Sequence, residues 1–199
     1  ALKELQAVVV ISEAKGDDGF LNAMAALSKE QDHALALDTM RSLQSAHRDD
    51  PRAGYALALM AFMWKDYALA EAETRSLIQQ HPDWSKGYIL LSRLYGARGD
   101  QASALEVLKQ AVDRQPDDEL LVGAYARLLV DAGDYEQAYR QFLKLRRLKP
   151  EDADVPYLLG VLAMQLDRTD DARRHFQQLQ KTGERTNDVA YYLGRIEQQ

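Results

Sequence analysis

The sequence predicts an all-α fold, a solenoid of antiparallel helix pairs. Prolines recur every 34 residues, five alanines hold one register of that period, and apolar residues fall three and four apart. Spacing of that kind gives each helix one apolar stripe to bury. No stretch alternates with period two, so strands are not expected.

The prolines are Pro82, Pro116 and Pro150. Repetition at a fixed interval of this length indicates stacked supersecondary units, each burying its apolar face only against its neighbours. With the first full repeat starting at Asp17, the chain divides into 17–50, 51–84, 85–118, 119–152 and 153–186. Residues 1–16 then read as the second helix of a preceding repeat and 187–199 as the first helix of a following one, which makes twelve helices. The chain opens at Ala1 within a helix-like pattern and without a leader. Val8, Val9 and Val10 at one end, with Tyr191 and Leu193 at the other, stand where a complete array carries polar caps, so a fragment of a longer protein is expected.

Each repeated position has a mechanical reason. Position 20 is Ala36, Ala70, Ala104, Ala138 and Ala172, where two helices cross so closely that a larger side chain would part them. Position 16 is Asp32, Asp66, Asp100 and Asp134, with Arg168 last; the aspartates cap the second helix of each pair. Gly99 and Gly133 at position 15 supply the left-handed turn between helices. Proline at position 32 stops the second helix. Position 24 (Met40, Thr74, Leu108, Phe142, Phe176) and position 27 (Leu43, Leu77, Ala111, Leu145, Leu179) complete the buried stripe.

Composition narrows the function. A net charge of −6 argues against neutralising nucleic-acid phosphates and against an electrostatic grip on anionic lipid. With no cysteine there is no disulfide, thiol chemistry or thiolate-bound zinc, and the compartment stays open. No apolar run approaches the roughly 20 residues that cross a bilayer. His33, His47, His81 and His175 are scattered without metal-ligand spacing. No nucleophile elbow or phosphate-binding loop occurs. Arg98-Gly99-Asp100 reads as a helix turn and cap rather than an adhesive tripeptide. The basic run 144–149 (KLRRLK) reads as cations complementing a helix C-terminus. Asp17-Asp18 and Glu151-Asp152 read as helix-start carboxylates rather than a calcium loop. No catalytic residue, metal or cofactor is expected.

These positions resemble the tetratricopeptide (TPR) family, which also carries a small residue at position 8 (here Ala58, Ser92, Ala126, Gly160, Gly194) and an aromatic at position 17 (Tyr67, Tyr135). The chain departs from the family at position 4, where Phe20, Gly54, Tyr88, Val122 and Pro156 replace its tryptophan. The resemblance implies a right-handed superhelical solenoid that binds other proteins or peptides on a concave groove. The groove is lined by positions 2, 5, 9 and 12 of the first helices. Carried over, these are Arg52, Tyr55, Leu59 and Phe62; Lys86, Ile89, Arg93 and Gly96; Gly123, Arg127 and Val130; Asp154, Tyr157, Val161 and Met164; and Asp188, Tyr191, Arg195 and Gln198. Tyr, Met and Arg are enriched at protein interfaces. The clamp by which some members hold chaperone C-termini is absent, since position 5 is Leu21, Tyr55, Ile89, Gly123 and Tyr157.

The wording of the later repeats, over 124–138, 158–179 and 189–199, is similar to Gram-negative envelope multi-repeat lipoproteins of the LbcA type. That resemblance implies a periplasmic adaptor, held to the outer membrane by a lipid ahead of Ala1. Its partners would be a carboxyl-terminal processing protease and that protease's substrates, cell-wall hydrolases among them. Two other readings stand beside it: a cytosolic or inner-membrane assembly scaffold, and the non-catalytic portion of a larger enzyme.

Overall fold

The computed structural model describes residues 19–27, 29, 32–152, 154–183 and 186–198. The helix read over 1–16 and the Asp17-Asp18 pair lie outside them. Among the described residues eleven helices follow one another: α1 (Gly19–Leu27), α2 (His33–Ala46), α3 (Pro51–Met63), α4 (Tyr67–Gln80), α5 (Ser85–Ala97), α6 (Gln101–Arg114), α7 (Glu119–Asp131), α8 (Tyr135–Leu148), α9 (Asp154–Gln165), α10 (Thr169–Thr182) and α11 (Thr186–Glu197). Among the described residues there is no strand. The chain divides into two compact units inside α6, between Val107 and Leu108.

The helix ends follow the period. Asp32, Asp66, Asp100 and Asp134 accept hydrogen bonds from the amides of Leu35, Leu69, Ser103 and Gln137 at 3.1, 3.0, 3.0 and 3.1 Å. α4, α6 and α8 each stop two residues short of their proline. Gly99 and Gly133 take φ of 79° and 77°. Lys65 and Asp167 hold the same turn at φ 62° and 56° without glycine's freedom, a conformation that costs side-chain-bearing residues about 1–2 kcal/mol. A second set of caps stands at position 34. Asp50, Asp118 and Asp152 accept from the amides of Arg52, Leu121 and Asp154 at 3.0, 2.9 and 3.0 Å. At the same position Trp84 cannot cap, and α5 starts without a side-chain acceptor.

In the first unit, α3 packs against α1, α2, α4 and α5. One cluster joins Leu27, Met40, Leu43, Leu57 and Met60, and a second joins Ala58, Ala61, Ala70, Leu90, Leu91 and Leu94. Each fully buried Leu or Met contributes about 1.5–3 kcal/mol. Thr74, fully buried, turns its hydroxyl to the Ala70 carbonyl at 2.6 Å. The Ser92 hydroxyl donates to the Ala104 carbonyl at 3.1 Å, which fixes the contact of positions 8 and 20 across one helix pair.

In the second unit α7 to α11 pack in succession. Phe176 is fully buried and stacks on Tyr192 at 4.9 Å, with Tyr157 edge-on at 6.2 Å. Its ring edge leaves no room at Gly160, where an added Cβ would lie 2.7 Å from two ring carbons. The second helices α8 and α10 meet at His175. Its Nε2 pairs with the Tyr139 hydroxyl at 3.1 Å, and its Nδ1 faces an Arg146 N–H at 3.2 Å. Burial pushes the imidazole down to about 4. Arg146 and Arg174 add to the shift, and Asp171 opposes it.

Two outcomes follow. Gly160→Ala gains helix propensity of roughly 1 kcal/mol, yet overpacking against a ring that cannot retreat costs about 1–3 kcal/mol. Hydrogen exchange should therefore accelerate in α9 and α10; unchanged or slower exchange there contradicts the contact. His175 is neutral in the fold, whereas the unfolded imidazole takes a proton near pH 6.5. Stability contributed by the neutral ring is complete above pH 6.5 and lost as the pH falls toward 4. Between those limits the thermal midpoint of His175→Gln should decline less steeply than that of the wild type, and parallel declines would place the titration elsewhere.

Candidate functional site

In the first unit the first helices α1, α3 and α5 lie side by side, with α3 touching both others. Tyr55 on α3 is half-buried and meets Trp84 edge-on, ring centroids 5.1 Å apart at 79°. Burial raises the Tyr55 phenol above its usual range, and the positive charge of Arg93 on α5 opposes that rise. Lys86 is exposed, its Nζ 6.0 Å from the Trp84 ring centroid, within cation–π reach. Neither Lys86 nor the exposed Arg93 has an ion-pair partner among the described residues.

Arg52 is committed differently. Its guanidinium is forked onto the cap Asp50, with Nη2 to Oδ2 at 2.6 Å and Nε to Oδ1 at 2.9 Å. That hydrogen bond is the main reason the Asp50 carboxyl sits below the ordinary range. Beside the pair an open cleft of about 670 Å³ runs along residues 46–52 to Trp84. Leu59 packs into both apolar clusters and forms wall rather than free surface. Ile89 is half-buried, and Phe62 lies 6.0 Å from Tyr67.

The second unit is less concentrated. Arg127 is exposed and without an ion-pair partner among the described residues. Gly123 is buried against Leu145 and offers no side chain to the face, so the expected groove position there is lost. Tyr157 is half-buried between Phe176 and Tyr192, a packing position as much as a contact one. Val161 is half-buried. Tyr191 is 61% exposed, and Arg195 places Cζ 5.9 Å over its ring.

Thus the structure brings Tyr55 and Lys86 to Trp84, a residue the groove positions do not include, with Arg93 acting on Tyr55. The sequence carried one signal for it: Trp84 stands where three other repeats have a capping aspartate. Chemically the cluster offers two aromatic faces between two free cations, which suits an apolar side chain next to a carboxylate. Among the described residues no group of His, Asp and Glu could hold a metal ion, and no helix is long and apolar enough to cross a membrane. Arg93 holds the Tyr55 phenol down, so Arg93→Ala should raise that tyrosine's pKa further above 10, read by NMR of carbon-labelled tyrosine. An unmoved resonance would separate the two groups.

Comparison with known proteins follows the same lines. No curated protein matches the chain significantly. TTC0263, a thermophilic TPR protein of Thermus thermophilus, is 18% identical over 98% of this chain and 100% of its own, with a TM-score of 0.57. YrrB, described as a TPR protein with an unusual peptide-binding site, is 16% identical over 96% and 99%, TM-score 0.59. MamA of Desulfovibrio magneticus RS-1 is 17% identical over 84% and 94%, TM-score 0.59. At these identities the likeness speaks to the fold alone. The profile of the cytochrome c-type biogenesis protein H TPR domain matches residues 73–189, more than half of the sequence. With its helix pairs, caps and close alanine crossings in that family's pattern, the chain belongs to the TPR domains of the cytochrome c-type biogenesis protein H family.

Proposed function

We propose that the chain is a protein-binding scaffold that takes extended segments of other proteins on its first-helix face and performs no chemistry of its own. The observation that carries this reading is the Tyr55–Trp84 pair between Lys86 and Arg93. Free cations beside a half-buried aromatic surface are the composition of interface hot spots. An incoming carboxylate would meet a guanidinium fork that gives directional hydrogen bonds as well as charge. YrrB, of similar fold, is described by its peptide-binding site, which supports a peptide as occupant.

In its finer form the proposal is a periplasmic adaptor, lipid-anchored to the outer membrane, that brings substrates to a carboxyl-terminal processing protease. Its support is the wording of residues 124–138, 158–179 and 189–199. The family match favours a second reading, a cytosolic or inner-membrane assembly scaffold, because the family's name denotes cytochrome c biogenesis.

Calorimetric titration of the chain with a purified processing protease of this class separates the two, since only the adaptor binds it. Replacing Arg93 and Arg127 together by alanine should weaken that binding by about 2 kcal/mol or more, with helical content unchanged. Arg173→Ala, on the second-helix side and paired with Asp170, should have little effect. Absence of binding removes the finer form, and equal loss from Arg173→Ala moves the interface off the first-helix face.

A further inference from the structure

The second unit carries another feature, on the side built from the second helices α8 and α10. A cavity of about 330 Å³ opens there, with Leu143 and Arg146 from α8 and Asp171, Arg174 and His175 from α10 in its lining. Its floor is the buried pair Tyr139 and His175. Arg146 reaches across, giving one N–H to His175 Nδ1 and another to the Gln178 Oε1 at 2.6 Å. Both acceptors are neutral, so the guanidinium charge meets no carboxylate there. The carboxylate of the cavity, Asp171, is bonded to Arg174.

A neighbour repeats the imbalance: the exposed Arg147 has no ion-pair partner among the described residues. Arg147 lies one turn beyond Leu143, so the two share a face of α8. Leu143 is 38% exposed, one of few large apolar side chains so displayed. Cations near a helix C-terminus complement its dipole, which accounts for a basic residue in the last turn. It does not account for a guanidinium turned sideways onto the next helix, nor for an exposed leucine at the same rim. On a chain of net charge −6 this is a basic patch with an apolar anchor.

We propose that the α8–α10 face is a second docking site, for an acidic segment of a partner protein that sets a carboxylate against Arg146 and an apolar side chain on Leu143. Charge complementarity selects the occupant: the charges left unmet are positive, and the cavity admits one or two side chains rather than a folded surface. Arg147 extends the attraction to a flanking acidic residue. The site does not rest on the first-helix reading. It would let one chain hold two partners at once.

The test is fluorescence anisotropy of the whole chain with a labelled peptide repeating Glu-Glu-Leu and with its counterpart repeating Lys-Lys-Leu. The acidic peptide should bind, more weakly as salt rises, and the basic one should not. Arg146→Gln keeps a hydrogen-bonding side chain, and Arg147→Ala removes an exposed cation. Each should reduce affinity by about tenfold, Leu143→Ser should reduce it several-fold, and Arg93→Ala should leave it unchanged. No binding of the acidic peptide overturns the proposal, as does binding lost in Arg93→Ala but kept in Arg146→Gln. Binding of phosphatidylglycerol vesicles that depends on Arg146, without peptide binding, would make the face a membrane contact instead. Self-association abolished by Arg146→Gln would make its occupant a second copy.

Discussion

Everything in this fold depends on how closely the two helices of a repeat approach at the small residue of position 20. Ala36, Ala70, Ala104, Ala138 and Ala172 are all wholly inaccessible. A methyl group there lets the backbones come near enough for the Ser92 hydroxyl to reach the Ala104 carbonyl, and for Gly160 to lie under the edge of Phe176. The crossing sets what the neighbours can be. Phe176 at position 24 leaves only glycine at position 8 opposite it, whereas Thr74 at position 24 coexists with Ala58 at that place in its own repeat. The trade is local to that last pair, since Phe142 at position 24 coexists with Ala126 at position 8 while the backbone path repeats.

Helix ends carry the second constraint, and they are where the repeats stop being alike. Aspartate at position 34 caps three of the first helices, a contribution of about 1 kcal/mol each, and α5 forgoes it because Trp84 occupies the place. The turn is held by other means: the Tyr88 hydroxyl donates to the Pro82 carbonyl at 2.8 Å, and Trp84 lies against Tyr55. A cap has been exchanged for an aromatic surface bordered by Lys86 and Arg93. Local rules broken where a compensating contact exists are a recognised mark of function. Lys65 and Asp167 break another local rule, holding the turn conformation that Gly99 and Gly133 adopt freely.

The fold was legible because each structural position was written five times, so alanine, aspartate and proline could be read by superposing repeats. The candidate site was legible only in outline. Tyr55, Lys86 and Arg93 could be placed by their positions, but a period cannot say which of them meet. Gly123 shows the limit: its position faces the groove in the family, yet the residue is buried beside Leu145 and has no side chain to offer. Trp84 lay outside the groove positions altogether. His175 was legible only as one of four histidines without metal-ligand spacing, because its partners Tyr139 and Arg146 lie 36 and 29 residues earlier, in the preceding repeat. Contacts between corresponding helices of adjacent repeats depend on rotamers, which the spacing of small and apolar residues does not encode.

An array coupled only to nearest neighbours divides its labour accordingly. The stripe that packs one helix on the next keeps its type from repeat to repeat, because any change there is felt by both neighbours. The outward edges are released from that requirement, and each repeat can carry its own chemistry on them. In the first unit the released edge of the first helices holds aromatic rings with free cations. In the second unit the released edge of the second helices holds a guanidinium on neutral acceptors beside an exposed leucine. Both concentrate unmet positive charge on a chain whose total is negative, so the remaining surface repels the same acidic segments that these two places attract. Repulsion elsewhere is what would turn a general electrostatic pull into a choice of position, and it requires no site to be strong on its own.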